Sequence, residues 1–144
     1  MIIRQMIESD RGIVMDMMRV FYRSPAVLSD GSDIIFSSDI DACVGDSPYV
    51  EGFVFEEGGN AAGYGMIAKS FSTEFGKPCI WIEDLYILPE HRGKGVASAF
   101  IQSIKCKYPD AVVRLEVEEE NLRALAVYRR NGMQELPYME MILK

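Results

Sequence analysis

The stretch from Trp81 to Phe100, WIEDLYILPEHRGKGVASAF, constrains this chain more than any other. Trp81, Ile82, Leu85, Tyr86, Ile87 and Leu88 form a run that is apolar on both faces, as a strand in the middle of a sheet requires. Pro89 has no amide proton and disfavours helix at Leu88, so the strand ends there. Ala97, Phe100, Ile101 and Ile104 then recur at the spacing of one helical face. This predicts a helix over Val96–Lys107 that stops at Tyr108-Pro109. Between strand and helix stands Gly93-Lys94-Gly95. The first amides of a helix lack intrahelical partners and lie at the positive end of its dipole. Glycines at that point allow a tight turn and leave no Cβ in the way of a ligand, while Arg92 and Lys94 add full positive charge. The turn therefore suits a phosphate, although an ordinary strand-to-helix connection has the same residues. A P-loop does not fit, because Gly95 follows Lys94 and the upstream glycine is missing. A dinucleotide fingerprint fails at its third glycine, where Ser98 stands.

The rest of the chain reads as alternating elements. Ile2–Met6 is an opening strand. Ser9 and Asp10 start a helix whose core face is Val14, Met17, Met18 and Phe21. Pro25 and Gly31 mark a loop, and a second helix covers about Asp33–Val44. Asp30, Asp33, Asp39 and Asp41 there read as a solvated acidic face or as acids that meet a cationic acceptor. Tyr49–Glu57 and Ala61–Phe71 are strands joined at Gly58-Gly59-Asn60, and Ser72–Pro78 is a polar loop. Ala111–Val117 alternates as a strand, and a helix from Asn121 to Arg130 stops at Asn131-Gly132. Met133–Leu136 and Tyr138–Leu143 read as closing strands. Asn121, Ala124 and Tyr128 share one helix face, where Tyr128 also reads as a core aromatic with its hydroxyl at the edge.

Composition excludes several classes. The chain has 144 residues, which suits one domain. A net charge of -7 argues against nucleic-acid binding and favours a cationic partner. No apolar run is long enough for a membrane span. Cys43, Cys79 and Cys106 are widely spaced, and His91 is the only histidine, so no metal site is expected and His91 reads as a solvated loop residue. The cysteines read as buried, reduced thiols of a cytoplasmic protein.

Two segments carry a family resemblance. Arg92-Gly93-Lys94-Gly95-Val96-Ala97 matches the R/Q-x-x-G-x-G/A signature of the GNAT superfamily of N-acetyltransferases. The run from Asn121 to Met133, NLRALAVYRRNGM, resembles the N-x-x-A-x-x-x-Y-x-x-x-G-F segment of the same family, with Met133 in place of phenylalanine. The resemblance implies a single GNAT domain over 1–144 of mixed α/β class. Its central sheet would be mostly antiparallel, of about seven strands with a splayed central pair, and about four helices would pack on it. It implies acetyl-coenzyme A as cosubstrate, a primary amine as acceptor, and no metal. Arg92 and the amides of Gly93, Lys94, Gly95, Val96 and Ala97 would hold the pyrophosphate. Unpaired backbone of Leu85, Tyr86 and Ile87 would bind the pantetheine arm, with Asn121 and Ala124 beside it and the Tyr128 hydroxyl facing the thioester sulfur as acid. A backbone N–H near Ile87 would meet the oxyanion.

An alkylammonium has no lone pair, so a base is needed. Glu83 is the first candidate and Asp84 the second. Strand alternation puts the two on opposite faces, so one faces the acceptor and the other binds the substrate cation or serves only the structure. Both acids also suit a purely structural role. A non-catalytic acyl-coenzyme A sensor on the same fold would need the turn without Tyr128 and the acids, and a scaffold protein would bind no coenzyme A. The apolar Tyr138–Leu143 strand makes a homodimer plausible.

Overall fold

The computed structural model describes residues 1–144. The elements run β1 (Ile2–Gln5), α1 (Arg11–Phe21), α2 (Asp33–Val44), β2 (Val50–Glu57), β3 (Asn60–Ser72), β4 (Lys77–Ile87), α3 (Val96–Lys107), β5 (Val112–Leu115) and α4 (Leu122–Arg130), with single 3-10 turns at Glu8–Asp10 and Pro89–His91. One five-stranded sheet takes the order β1-β2-β3-β4-β5. All neighbours are antiparallel except β4 and β5, which are parallel and joined through α3.

Both faces of the sheet are covered, which is why the central strands are apolar throughout. On one face α1 and α2 bring Val14, Met17, Met18, Phe21, Phe36 and Ile40 against Val54, Tyr64, Met66 and Tyr86. On the other, Val96, Phe100, Ile101 and Ile104 of α3 pack on Phe53, Phe55, Ile67, Ile80 and Ile82, with Tyr128 of α4 at the margin. Gly65 makes the second packing possible. A Cβ there would lie 2.7 Å from Cζ of Phe100, so the ring occupies the room the glycine leaves. Met6, Met17 and Met18 are buried in the core, whereas Met1 is exposed; of the cysteines expected to be buried, Cys79 is, Cys43 is half-buried and Cys106 on the outer side of α3 is exposed.

Two irregularities shape the site. In β3–β4 the register steps from Met66–Asp84 to Ile67–Ile82, leaving Glu83 as an extra, bulged residue. The bulge reverses the parity of β4. Ile80 and Ile82 face α3 before it, whereas Asp84 and Tyr86 face away from α3, toward α1 and α2, after it. In β4–β5 the pairing ends at Ile82–Leu115 while β4 runs on to Ile87, so the two strands part company there.

The sheet has five strands, not the seven expected. The missing pair is Met133–Leu136 and Tyr138–Leu143, which form no ladder. Pro137 supplies no amide proton, and Met139, Met141, Ile142 and Leu143 project into solvent, 80–98% exposed. Apolar alternation alone does not make a strand when no partner strand receives it. The polar loop expected over Ser72–Pro78 is shorter: β3 keeps Ser72, β4 takes Lys77 and Pro78, and Gly76 turns the chain at φ 62°. No helix is long and apolar enough to cross a membrane.

Candidate active site

The parting of β4 from β5 leaves the β4 edge from Glu83 to Ile87 without a neighbour on that side. No backbone hydrogen bond from a turn or loop ends on Leu85, Tyr86 or Ile87. The edge leads into the 3-10 turn Pro89–His91 and then into the glycine turn. Gly93 has φ 73° and Gly95 φ 79°, a region that glycine enters without strain. Gly95 is the N-cap of α3 and has no side chain with which to cap it. The first α3 amides therefore face outward uncapped, and a Cβ on Gly95 would point into open space. Val96 is buried beneath the turn and anchors it, while Ala97 is half-buried.

Arg92 does not point into this cradle. Its Nε donates to the Ile87 carbonyl at 2.8 Å, and its guanidinium lies 5.6 Å from the centroid of the Tyr86 ring. It braces the turn against the end of β4. Lys94 is exposed. His91 is half-buried rather than solvated, with Nδ1 buried and unpartnered.

On the α1/α2 side of the opening stands a group of acids. Asp84 is only 4% exposed and accepts the Tyr64 hydroxyl at 2.7 Å and the Tyr22 hydroxyl at 2.9 Å. Burial raises its carboxyl above the ordinary range, and the two tyrosine hydrogen bonds oppose that rise. The Glu83 carboxylate has no hydrogen-bond partner in the chain, and the residue is exposed. Desolvation and then the charges of Asp84, Glu140 and Asp39 push its carboxyl upward. Glu83 is the bulged residue next to Asp84, exposed where Asp84 is buried, and the charge of Asp84 acts on it. Asp39 is pushed up to about 6 by burial and by Asp84. Of the four aspartates on this segment, Asp33 pairs with Arg19 and Asp41 with Arg11. Asp39 differs from those two in having no ion-pair or hydrogen-bond partner. Glu116, beside the carboxylate of Glu140 and partly desolvated, is raised to about 7.

On the α3/α4 side, Tyr128 packs at the edge of the same core cluster as Leu85, Ile87 and Leu115. Burial raises its phenol, and no group of the chain hydrogen-bonds its hydroxyl, which is therefore free to meet a ligand. Asn121 is the α4 N-cap: its Oδ1 accepts the Ala124 amide at 3.3 Å, and its Nδ2 donates to no group of the chain. Asn131, legible only as a helix stop, ties α4 to α3 by donating to the Ser98 hydroxyl at 2.9 Å and accepting from Gln102 at 3.2 Å. Sequence reasoning missed Tyr22 and Tyr64 as partners of Asp84. Tyr22 falls at the start of the loop after the first helix and Tyr64 within a strand, and only the fold brings them to one carboxylate.

A family model described as the acetyltransferase (GNAT) family matches residues 15–133. The thialysine N-epsilon-acetyltransferase of Bos taurus is 36% identical over 87 residues, covering 58% of this chain and 51% of that enzyme. The Mus musculus enzyme of the same name is 26% identical over 160 residues, covering 96% of this chain and 86% of its own length. The chain thus spans about half the length of the bovine relative, 51%. Among solved structures, AAC(6')-Iy in complex with the bisubstrate analog CoA-S-monomethyl-acetylneamine superposes with a TM-score of 0.80 at 17% identity, covering 99% of this chain and 97% of that one. A possible acetyltransferase from Clostridium difficile 630 gives 0.79 at 22% identity, covering 99% and 96%. At such identities these two likenesses speak to the fold.

Proposed function

We propose, from the premise that this chain belongs to the acetyltransferase (GNAT) family, that it moves an acetyl group from acetyl-coenzyme A to the primary amine of a small cationic acceptor. The observation that carries the reading is the unpaired β4 edge, Glu83 to Ile87, ending on an uncapped helix start. The open space over Gly95 and the positive φ of both glycines fit a diphosphate. The amides from Gly93 to Ala97 and the Lys94 ammonium would hold it, and Arg92 would keep the turn in register with Ile87.

When bound, acetyl-coenzyme A supplies an electrophilic thioester carbonyl. Backbone groups of Leu85, Tyr86 and Ile87 would align it as an added strand, with the Ile87 N–H facing the thioester oxygen. Asn121 and Ala124 would flank the arm. Glu83 would take the proton from the acceptor ammonium, directly or through water, because its raised pKa brings it nearer to neutrality. The Tyr128 hydroxyl would give a proton or a hydrogen bond to the departing sulfur.

Asp39, Glu83 and Asp84 form a negative wall that favours a cation over a neutral or anionic acceptor. The amine in the name of the bovine and mouse relatives, the ε-nitrogen of thialysine, is of that kind. The exposed apolar tail from Met139 to Leu143 supports association of two copies, which light scattering of the purified chain would report. The function is tested by thermal shift with acetyl-coenzyme A, followed by thiol release over a panel of thialysine, diamines, aminoglycosides and neutral amines. Stabilisation and turnover with cationic amines are expected. No stabilisation at millimolar acetyl-coenzyme A removes the reading.

A further inference from the structure

Arg123 stands where a helix least wants a cation. Asn121 caps α4, so Arg123 lies in the first helical turn, at the positive end of the dipole, and no acid in that turn offsets it. Arg4, Arg11, Arg19, Lys69 and Lys107 hold the ion pairs of basic side chains in this chain, and Arg123 is not among them. Three glutamates, Glu118 to Glu120, precede it in the sequence, yet it pairs with none of them. Its guanidinium instead reaches the glycine turn of α3: a Cβ on Gly93 would lie 3.7 Å from Nη2 of Arg123. A residue that breaks a local rule and aims at a site is a candidate for function at that site.

We infer that Arg123, brought in from α4, is the guanidinium that meets the diphosphate of coenzyme A. This rests on the reading of the turn given above and deepens it. The α3 amides contact one side of the diphosphate, and Arg123 closes over the other with two parallel N–H donors, a geometry that a lysine ammonium does not reproduce. Arg92, the signature arginine, is already committed to the Ile87 carbonyl and the Tyr86 ring. Division of labour follows: Arg92 sets the shape of the turn, and Arg123 reads charge.

The test measures dissociation constants of coenzyme A, 3'-dephospho-coenzyme A and pantetheine, by calorimetry, for the wild-type chain and for Arg123→Met and Arg123→Lys. Arg123→Met is expected to weaken coenzyme A and the dephospho form equally, by about tenfold, and to leave pantetheine binding unchanged. Arg123→Lys is expected to recover part of the loss. Without ligand, Arg123→Met melts at the same temperature or higher, because an exposed cation leaves the helix start. Equal coenzyme A affinity in wild type and Arg123→Met overturns the inference while the acetyltransferase reading stands. A loss confined to coenzyme A, sparing the dephospho form, also overturns it, since Arg123 then reads the ribose phosphate. A wild-type chain that binds no coenzyme A removes the reading and the inference together.

Discussion

The Tyr64 hydroxyl donates to Oδ2 of Asp84 at 2.7 Å, across the β3–β4 pair and beneath the sheet surface. Tyr22 occupies the other oxygen, so Asp84 is a held charge with little room to accept a proton from a substrate. Its effect is felt by its neighbours: it raises the carboxyls of Glu83 and Asp39. Asp84→Asn removes that charge, and the Glu83 pKa then falls toward its ordinary value. A base works only when deprotonated, so the acid limb of kcat/KM moves to lower pH in Asp84→Asn. Glu83→Gln removes the limb, and activity appears only at a pH where the free amine is itself populated. Superimposable pH profiles of wild type and both variants would exclude Glu83 as the base.

Tyr128→Phe keeps the ring against the core beneath α3 and deletes only a hydroxyl that nothing in the chain uses. Folding and coenzyme A affinity are expected to change little. Turnover is expected to fall by about a hundredfold, the scale of a single general-acid contribution. The split between kcat and KM for acetyl-coenzyme A is the measurement, and an unchanged kcat removes Tyr128 from the chemistry.

Gly95→Glu strains the backbone at φ 79° and sends a carboxylate into the open space over the turn. Loss of coenzyme A binding is expected, with the melting temperature lowered by the backbone strain alone. Gly95→Ala isolates that strain, and the difference between the two variants reports the charge. If Gly95→Glu binds coenzyme A as Gly95→Ala does, the turn is not the site.

The strand, turn and helix at the centre were legible because each residue there satisfies a local rule: Pro89 ends β4, Gly95 opens α3, and Phe100 and Ile104 repeat at helical spacing. The bulge at Glu83 was not legible. Alternation counted from Trp81 places Ile82 and Asp84 on one face, and only pairing with Met66 and Ile67 shows that a residue is skipped. The tail failed for the opposite reason: its pattern is strand-like, but a strand exists only with a partner, and β5 does not take it up. Asp39 was visible among four aspartates. What singles it out is that Arg19 and Arg11 reach Asp33 and Asp41 and leave it alone, while packing half-buries it near Asp84 and leaves Asp30 exposed.

Asp10 joins the first strand to the first helix. It is 7% exposed, accepts both Nη atoms of Arg4 at 2.8 Å and also accepts the Ile7 amide at 2.8 Å. The Arg4 hydrogen bond, against the opposing effect of burial, holds its carboxyl below the ordinary aspartate range. A depressed pKa means stability that is present above the unfolded value and lost as pH falls through the folded one. Asp10→Asn is expected to cost about 1–3 kcal/mol at neutral pH, the scale of charged hydrogen bonds. In urea titrations the gap between the two proteins narrows as pH falls below about 4. A gap independent of pH would show that the pair contributes by packing alone.

Gly63 and Gly65 separate stability from function on a single strand. A Cβ on Gly65 meets the Phe100 ring, the end of a side chain that can tilt, whereas a Cβ on Gly63 meets the Tyr86 carbonyl, part of the β4 backbone. Gly65→Ala is therefore expected to cost about 1–3 kcal/mol as overpacking, with coenzyme A affinity retained in the folded fraction. Gly63→Ala also presses on the Phe55 ring, but its nearest contact, the Tyr86 carbonyl, is backbone that cannot tilt aside. It must displace β4 where Tyr86 and Ile87 offer their free edge, so it is expected to weaken binding of pantetheine and coenzyme A alike as well as destabilising the fold. Calorimetric affinities of both variants, measured well below their melting temperatures, make the comparison. Equal affinities in the two would mean that the β4 edge at Tyr86 does not hold the pantetheine arm.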